Sequence, residues 1–335
     1  MRKYLVYFAL LLVGCGGNGV EPIVNPDTGQ TPSTAESDWT DAIDWTLRLT
    51  VPLPLNDVVW DGQVFIAVGY GGTILTSVDG IDWVARESAP DDDLGALAAF
   101  DSGIYAVGGP GILLSTDHGE TWTVKARPYG FIGTAVAASS SHVVVMGVVP
   151  DLGMPRITLS EDSGETWQTM DFAWGTGDLI YRDGLFVTPA GSGVIVSTDG
   201  IQWSEIVVGD EDTGLNDLVA HDDSQFFVAD EDDGTVFSSF DAFNWTELSA
   251  PLADVSYKAG AWNGTQLILA GLVSSNRHDG TYRPIGISSS DGGASWDIFG
   301  IDTNYESHGI AWGNGRFVSV GRSALSDEGV IYTTD

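Results

Sequence analysis

Ser115-Thr116-Asp117-His118-Gly119-Glu120-Thr121-Trp122 and Ser160-Glu161-Asp162-Ser163-Gly164-Glu165-Thr166-Trp167 are two copies of one pattern: Ser, any residue, Asp, a nearby Gly, then Trp. Ser289 to Trp296 is a third copy of that length, with Asp291 in its third place. A form one residue shorter runs Ser77-Val78-Asp79-Gly80-Ile81-Asp82-Trp83 and Ser197-Thr198-Asp199-Gly200-Ile201-Gln202-Trp203. Ser239-Phe240-Asp241-Ala242-Phe243-Asn244-Trp245 repeats it with Ala for Gly. A Ser-x-Asp stretch followed by Gly suits a tight hairpin turn, in which hydroxyl and carboxylate accept backbone N–H bonds and Gly takes a positive φ. The Trp then opens the next strand and covers the repeat with its ring.

A second pattern lies upstream of each copy: an apolar strand, a Gly-containing turn and a strand ending in Gly. Val58-Val59-Trp60-Asp61-Gly62-Gln63-Val64-Phe65-Ile66-Ala67-Val68-Gly69 and Ile310-Ala311-Trp312-Gly313-Asn314-Gly315-Arg316-Phe317-Val318-Ser319-Val320-Gly321 show it. Each repeat thus supplies four antiparallel strands, the makings of a propeller blade. The chain ends Gly329-Val330-Ile331-Tyr332-Thr333-Thr334-Asp335, like the approach to a seventh turn, and Asp41-Ala42-Ile43-Asp44-Trp45 reads like the second half of one. The aspartates at 41, 79, 117, 162, 199, 241, 291 and 335 fall 38, 38, 45, 37, 42, 50 and 44 apart, each close to a blade length. The expected fold is all-β: a seven-bladed β-propeller over residues 38–335, closed by an N-terminal outer strand that joins three C-terminal strands and so hides their edges.

These repeats resemble the Asp-box, or BNR, repeat of sialidase-like propellers, over the whole of the domain. The resemblance implies that Ser77, Asp79, Trp83, Ser115, Asp117, Trp122, Ser160, Asp162, Trp167, Ser197, Asp199, Trp203, Ser239, Asp241, Trp245, Ser289, Asp291 and Trp296 are structural, because in that family the boxes sit on the face away from the active site. It does not carry sialidase activity. The family's first arginine lies in a Phe/Tyr-Arg-Ile-Pro motif ahead of the first box; nothing before Ser77 matches it, and Pro155-Arg156-Ile157 is out of place. Sialidases also have six blades, not seven. Related non-catalytic families are the photosystem II assembly-factor propellers and the sortilin-type receptors. Other Asp-box propellers are glycoside hydrolases that use paired carboxylates, and in so acidic a chain no pair stands out.

The N-terminus has its own message. Met1-Arg2-Lys3 and the apolar run from Tyr4 to Val13 read as an export signal over residues 1–14, too short to span a bilayer. Leu12-Val13-Gly14-Cys15 resembles the bacterial lipobox, which implies acylation of Cys15 and stable anchoring by several chains. Gly16 in place of aspartate favours the outer membrane. Residues 15–37, poor in large apolar side chains, read as a flexible tether. Cys15 is the only cysteine, so no disulfide or thiol nucleophile remains for the domain.

Across 335 residues there are 13 Lys and Arg against 47 Asp and Glu, a formal charge of −34 that repels phosphate backbones and excludes nucleic acid as a partner. No catalytic residue, Gly-rich phosphate loop or His-rich metal spacing is evident. Asp210 and Asp212, and Asp230 and Asp232, stand two apart before a Gly, as calcium loops do, but neither cluster has the distal Glu of a full loop. Ca²⁺ is therefore the one ion weighed. The ligand, a protein, peptide or glycan, is expected on the face opposite the Ser-x-Asp turns. Its candidate residues are Arg277, Tyr282 and Arg283 with His278 in the long segment 271–286, Tyr305 and Glu306 with His308 in the next connector, and Trp174. The function expected is a membrane-anchored binding or assembly module, the alternatives being an Asp-box glycoside hydrolase or a Ca²⁺-stabilised adhesive module.

Overall fold

A computed structural model describes residues 43–87, 92–100, 103–109, 111–128, 130–173, 177–210, 213–221, 225–230, 233–248, 252, 255–274, 282–301 and 304–335, with the backbone alone at 216–221, 274, 282 and 283. Cys15, the tether, Trp174, Asp212, Asp232, Arg277 and His278 lie outside the described residues.

The described residues form seven four-stranded antiparallel sheets, the blades of a seven-bladed β-propeller. The first blade comprises Leu55–Trp60, Phe65–Gly69, Ile74–Ser77 and Val84–Arg86, from the axis outward. Five more follow, spanning residues 94–126, 132–171, 180–207, 215–248 and 255–299. The last takes Tyr305–Gly313, Arg316–Ser323 and Gly329–Thr334 from the C-terminus, and its outer strand, Trp45–Val51, from the N-terminus. Trp45 stands opposite Thr334 and Val51 opposite Gly329, so the two ends of the domain close one sheet.

The apolar pattern follows from this layering. A blade's second strand is covered on both faces by neighbouring blades, so it reads as a continuous apolar run; Phe65, Ile66, Ala67 and Val68 are all fully buried. The cores lie between blades. Ile66, Val68 and Ile74 of the first blade pack with Leu94, Leu97, Leu113 and Trp122 of the second, and Leu55, Phe65 and Leu75 pack with Val318, Val320 and Ile331 across the closing seam.

The glycine in the second half of the second strand, present in five of the seven blades at Gly69, Gly108, Gly147, Gly271 and Gly321, has a physical cause. The inner strands are bulged near their start, between Leu55 and Asp57, Tyr257 and Ala259, and Ser307 and Gly309, among others. The bulge turns a carbonyl onto the facing residue: a Cβ at Gly69 would collide with Pro54 O, at Gly271 with Ser256 O, and at Gly321 with Glu306 O.

Candidate functional site

Since neighbouring strands run antiparallel, the Ser-x-Asp turns and the first-to-second strand turns emerge at one end of the ring. The second-to-third strand loops and the connectors between blades emerge at the other.

At the turn end the polar groups satisfy one another. In the third blade Ser160 Oγ accepts the N–H of Gly164 (2.8 Å) and donates to Asp162 Oδ1 (2.8 Å). Asp162 also accepts the Thr166 N–H (2.8 Å) and hydroxyl (2.7 Å). Trp167 Nε1 closes the turn on Gly164 O (3.0 Å). The indoles of Trp83, Trp122, Trp203 and Trp245 make the same bond to the residue three before them. Hydrogen bonds to hydroxyls and backbone N–H groups hold the carboxyls of Asp117, Asp162, Asp241 and Asp291 down at about 2, and lower those of Asp79 and Asp199. All six are thus ionised acceptors fixed by their own turns. The indoles of Trp167, Trp203, Trp245, Trp296 and Trp83 pack on the inter-blade cores.

The connector end is built differently. In the last blade Glu306, opposite Arg322, forms an ion pair with its guanidinium, which also reaches Asp327 (3.2 Å). His308 stands at the bulge, donates Nδ1–H to Leu55 O of the first blade (2.8 Å) and brings Nε2 to 3.9 Å from Glu306. His308 and Arg322 together hold the Glu306 carboxyl at about 2. Around this group stand three large apolar side chains open to solvent: Leu53 in the connector, Tyr70 in the first blade's loop and Leu325 in the last blade's loop, exposed by 44, 44 and 78%. Gly71, next to Tyr70, lies against the Leu53 side chain, and Ser323 Oγ accepts the Leu325 N–H.

Two residues expected to bind a ligand or ion prove to have other roles. Tyr305, placed by sequence on the ligand face, is a core side chain, 1% exposed, with its hydroxyl 2.7 Å from Ser319 Oγ; it begins the inner strand and packs on Tyr332 and Val330. Asp230 is buried and spends its carboxylate on the N–H groups of Gly214 (2.6 Å) and Asp233 (3.0 Å). Asp210 bonds within its own turn to Thr213. Among the described residues no group of three or more His, Cys, Asp or Glu side chains is disposed to hold a metal ion. Tyr282 and Arg283 fall on the third strand of the sixth blade, opposite Ser274 and Val273.

Sequence reasoning passed over Asp57. Burial pushes its carboxyl up to about 7, against the pull of two backbone donors, the N–H of Leu97 in the next blade (2.7 Å) and of Val58 (2.7 Å). A carboxyl of that pKa is what a general acid needs. Both its oxygens, however, are engaged by backbone, and with Asn56 Nδ2 bonded to Leu94 O (2.7 Å) it ties the first blade to the second.

No protein-family model matches the chain, and no curated protein matches it by sequence. Among solved structures, YCF48 bound to D1 peptide is similar with a TM-score of 0.66 at 19% identity, over 90% of this chain and 100% of that one. A streptogramin B lyase structure gives 0.66 at 13% identity, over 87 and 97%. The GH74 xyloglucanase from Xanthomonas campestris gives 0.61 at 13% identity, over 85% of this chain and 54% of that one. At such identities the likeness is one of fold: this chain is a seven-bladed β-propeller, a scaffold on which binding proteins and enzymes are both built.

Proposed function

We propose that this chain is a non-catalytic binding or assembly module of the Asp-box kind, anchored through Cys15 at the cell envelope, in the outer membrane, and that it captures a protein or peptide on the connector end of its ring. One observation carries the reading: Leu53, Tyr70 and Leu325 remain exposed around the Glu306–Arg322 pair, where the last blade meets the first. Exposed apolar side chains beside a fixed polar group make the anatomy of a contact surface, with an apolar anchor and a polar group that sets orientation. The likeness to a propeller bound to a peptide supports it as precedent.

The glycoside hydrolase alternative needs one protonated and one ionised carboxyl facing a common substrate. Glu306 is held ionised by the His308 imidazole and its ion pair with Arg322, the six turn aspartates by their turns, and Asp57 has both oxygens on backbone. A glycan bound without chemistry uses the same end. The Ca²⁺-stabilised module has less support, since Asp230 already gives its oxygens to N–H groups.

The test is capture from an envelope fraction by the intact chain and by a Tyr70→Asp, Leu325→Asp variant. The variant should retain less than about a tenth of the captured partner, a loss of about 1.4 kcal/mol or more, at an unchanged melting temperature. Equal capture by the two proteins, or hydrolysis of a glycoside panel by the parent, would overturn the proposal.

A further inference from the structure

One position at or next to the end of the inner strand is Trp or Tyr in four of the seven blades, and the register shows that the positions are equivalent. Trp60 stands opposite Phe65, Tyr181 opposite Phe186, Trp262 opposite Leu267 and Trp312 opposite Phe317. Phe65, Phe186 and Leu267 in turn face Ser77, Ser197 and Ser289, the first residues of their turns. In the second blade Ile104 faces Ser115, and the residue opposite Ile104 is Ala99. Alanine therefore stands where three other blades carry tryptophan.

The missing ring leaves a space that no side chain among the described residues fills. In the first blade the Trp60 indole lies across Gly313 of the preceding blade, so closely that a Cβ there would collide with it. Gly313 follows Trp312 as Asp61 follows Trp60, so a ring at position 99 would lie across Asp61. The third blade has alanine at this place too, Ala138, but there Phe100 of the preceding blade packs in the same cluster. Asp61 is short and polar and cannot do this for Ala99. A cavity of about 480 Å³, open to solvent at the turn end, remains between the first and second blades.

Its apolar walls are Trp60, Ala99, Phe100 and Ile104, and its polar groups are Asp61, Gln63, Thr116 and His118. Asp61 Oδ1 is fixed by the N–H groups of Gln63 (2.8 Å) and Val64 (2.8 Å). Its Oδ2 lies 2.6 Å from His118 Nδ1. His118 is held there by a left-handed backbone (φ 59°) in a turn position where other copies carry Ser163 or Gly292, and its side chain is 48% exposed. An imidazole that gives its Nδ1–H to a carboxylate presents Nε2 as a hydrogen-bond acceptor. Gln63, whose Nε2 lies 3.2 Å from that nitrogen, is exposed and can swing aside.

We propose that this cavity is a binding site for a small, flat, uncharged aromatic molecule bearing one ring N–H or O–H, of the indole or phenol class, which takes the place of the absent side chain and donates to His118 Nε2. The site is at the opposite end of the ring from the one proposed above and does not depend on it. Cavities left by a missing side chain take up ring compounds of matching shape; here the rings of Trp60 and Phe100 supply apolar contact and Asp61, Gln63, Thr116 and His118 form a polar, solvent-open edge. The carboxylate of Asp61 and the chain's charge of −34 weigh against anionic ligands.

The experiment titrates the full chain with indole, phenol and methyl β-glucoside, by calorimetry and ligand-observed NMR, beside Ala99→Trp. Three blades carry tryptophan at this place, and the melting temperature of the variant reads whether the ring is accommodated over Asp61 as Trp60 is over Gly313. The parent should bind indole and phenol and not the glucoside, and Ala99→Trp should weaken indole by about tenfold or more without lowering the melting temperature. No binding of either aromatic at its solubility limit, equal binding by Ala99→Trp, or preference for the glucoside would each overturn the proposal. Should Ala99→Trp prove unstable, His118→Ala serves: it keeps the walls, removes the acceptor and should weaken phenol about tenfold, and unchanged affinity would overturn the assignment of Nε2.

Discussion

Asp57 makes the stability of this protein depend on pH with a sign opposite to that of the six turn aspartates. In the folded chain its carboxyl titrates at about 7, in the unfolded chain at the ordinary carboxylate value of 3.8, burial being the cause. Between those values the folded state holds a proton that the unfolded state does not, so stability is fullest below about pH 4 and falls as pH rises towards 7. Three units at about 1.4 kcal/mol each set about 4 kcal/mol as the upper bound of the loss, because Asp57 is part-exposed and its two amide donors favour the ionised form. Asp57→Asn removes the titration. It also leaves one of the two donors, Leu97 N–H or Val58 N–H, without an acceptor, at about 1–3 kcal/mol. At pH 4.5 the variant should therefore be the less stable protein; by pH 8 the gap should have closed or reversed. Denaturant unfolding of both proteins at several pH values, in salt sufficient to screen the shared net charge, reads the difference directly. A constant gap from pH 4.5 to 8 would refute the reasoning and show a carboxylate kept ionised throughout by its two amides.

Deleting Gly329 to Asp335 removes the strand between Trp45–Val51 and the rest of the last blade, with the buried Ile331 and Tyr332; the product should aggregate or fail to melt cooperatively, as size exclusion and circular dichroism would show, and a variant as stable as the parent would argue that closure contributes nothing. Cys15→Ala should abolish acylation and release the protein from the membrane fraction, and persistence there without lipid would refute the anchor.

The fold was legible because its signals are local and recur. A Ser-x-Asp turn uses hydrogen bonds within five residues, so each copy states its geometry by itself, and the half-repeats at 41–45 and 329–335 were readable once a whole repeat was known. The second-strand glycines were legible as a pattern, while their cause, a bulged carbonyl from the facing strand, required the register. Tyr305 was misplaced because a connector and the first residue of an inner strand look alike in sequence; what buries its ring is Tyr332, 27 positions on. Asp57 and Leu97, and Asp61 and His118, lie 40 and 57 residues apart, and nothing in either segment announces the other. A trace of the cavity did exist. Aligning the repeats sets Ala99 under Trp60, Trp262 and Trp312, and a small residue in a column of large ones marks a space to be filled or used.

The two ends of the ring differ in what their polar groups are free to do, and this follows from how a repeat is made. A turn that recurs in six blades must be self-sufficient, since its neighbours differ from blade to blade, so its serine and aspartate, and in five of the six its indole, close on one another and leave little for a ligand. The connectors and second-to-third strand loops have no such constraint; they differ in length and sequence, and their side chains bond across seams, as His308 does to Leu55 and Gly71 N–H does to Asp93 (2.8 Å). A binding surface is therefore expected where blades differ. The cavity beside Ala99 obeys the same logic from the other side, because it lies at the turn end yet arises where one blade departs from the repeat, and His118 reaches it only because the left-handed position of its turn holds an imidazole in place of the usual small residue.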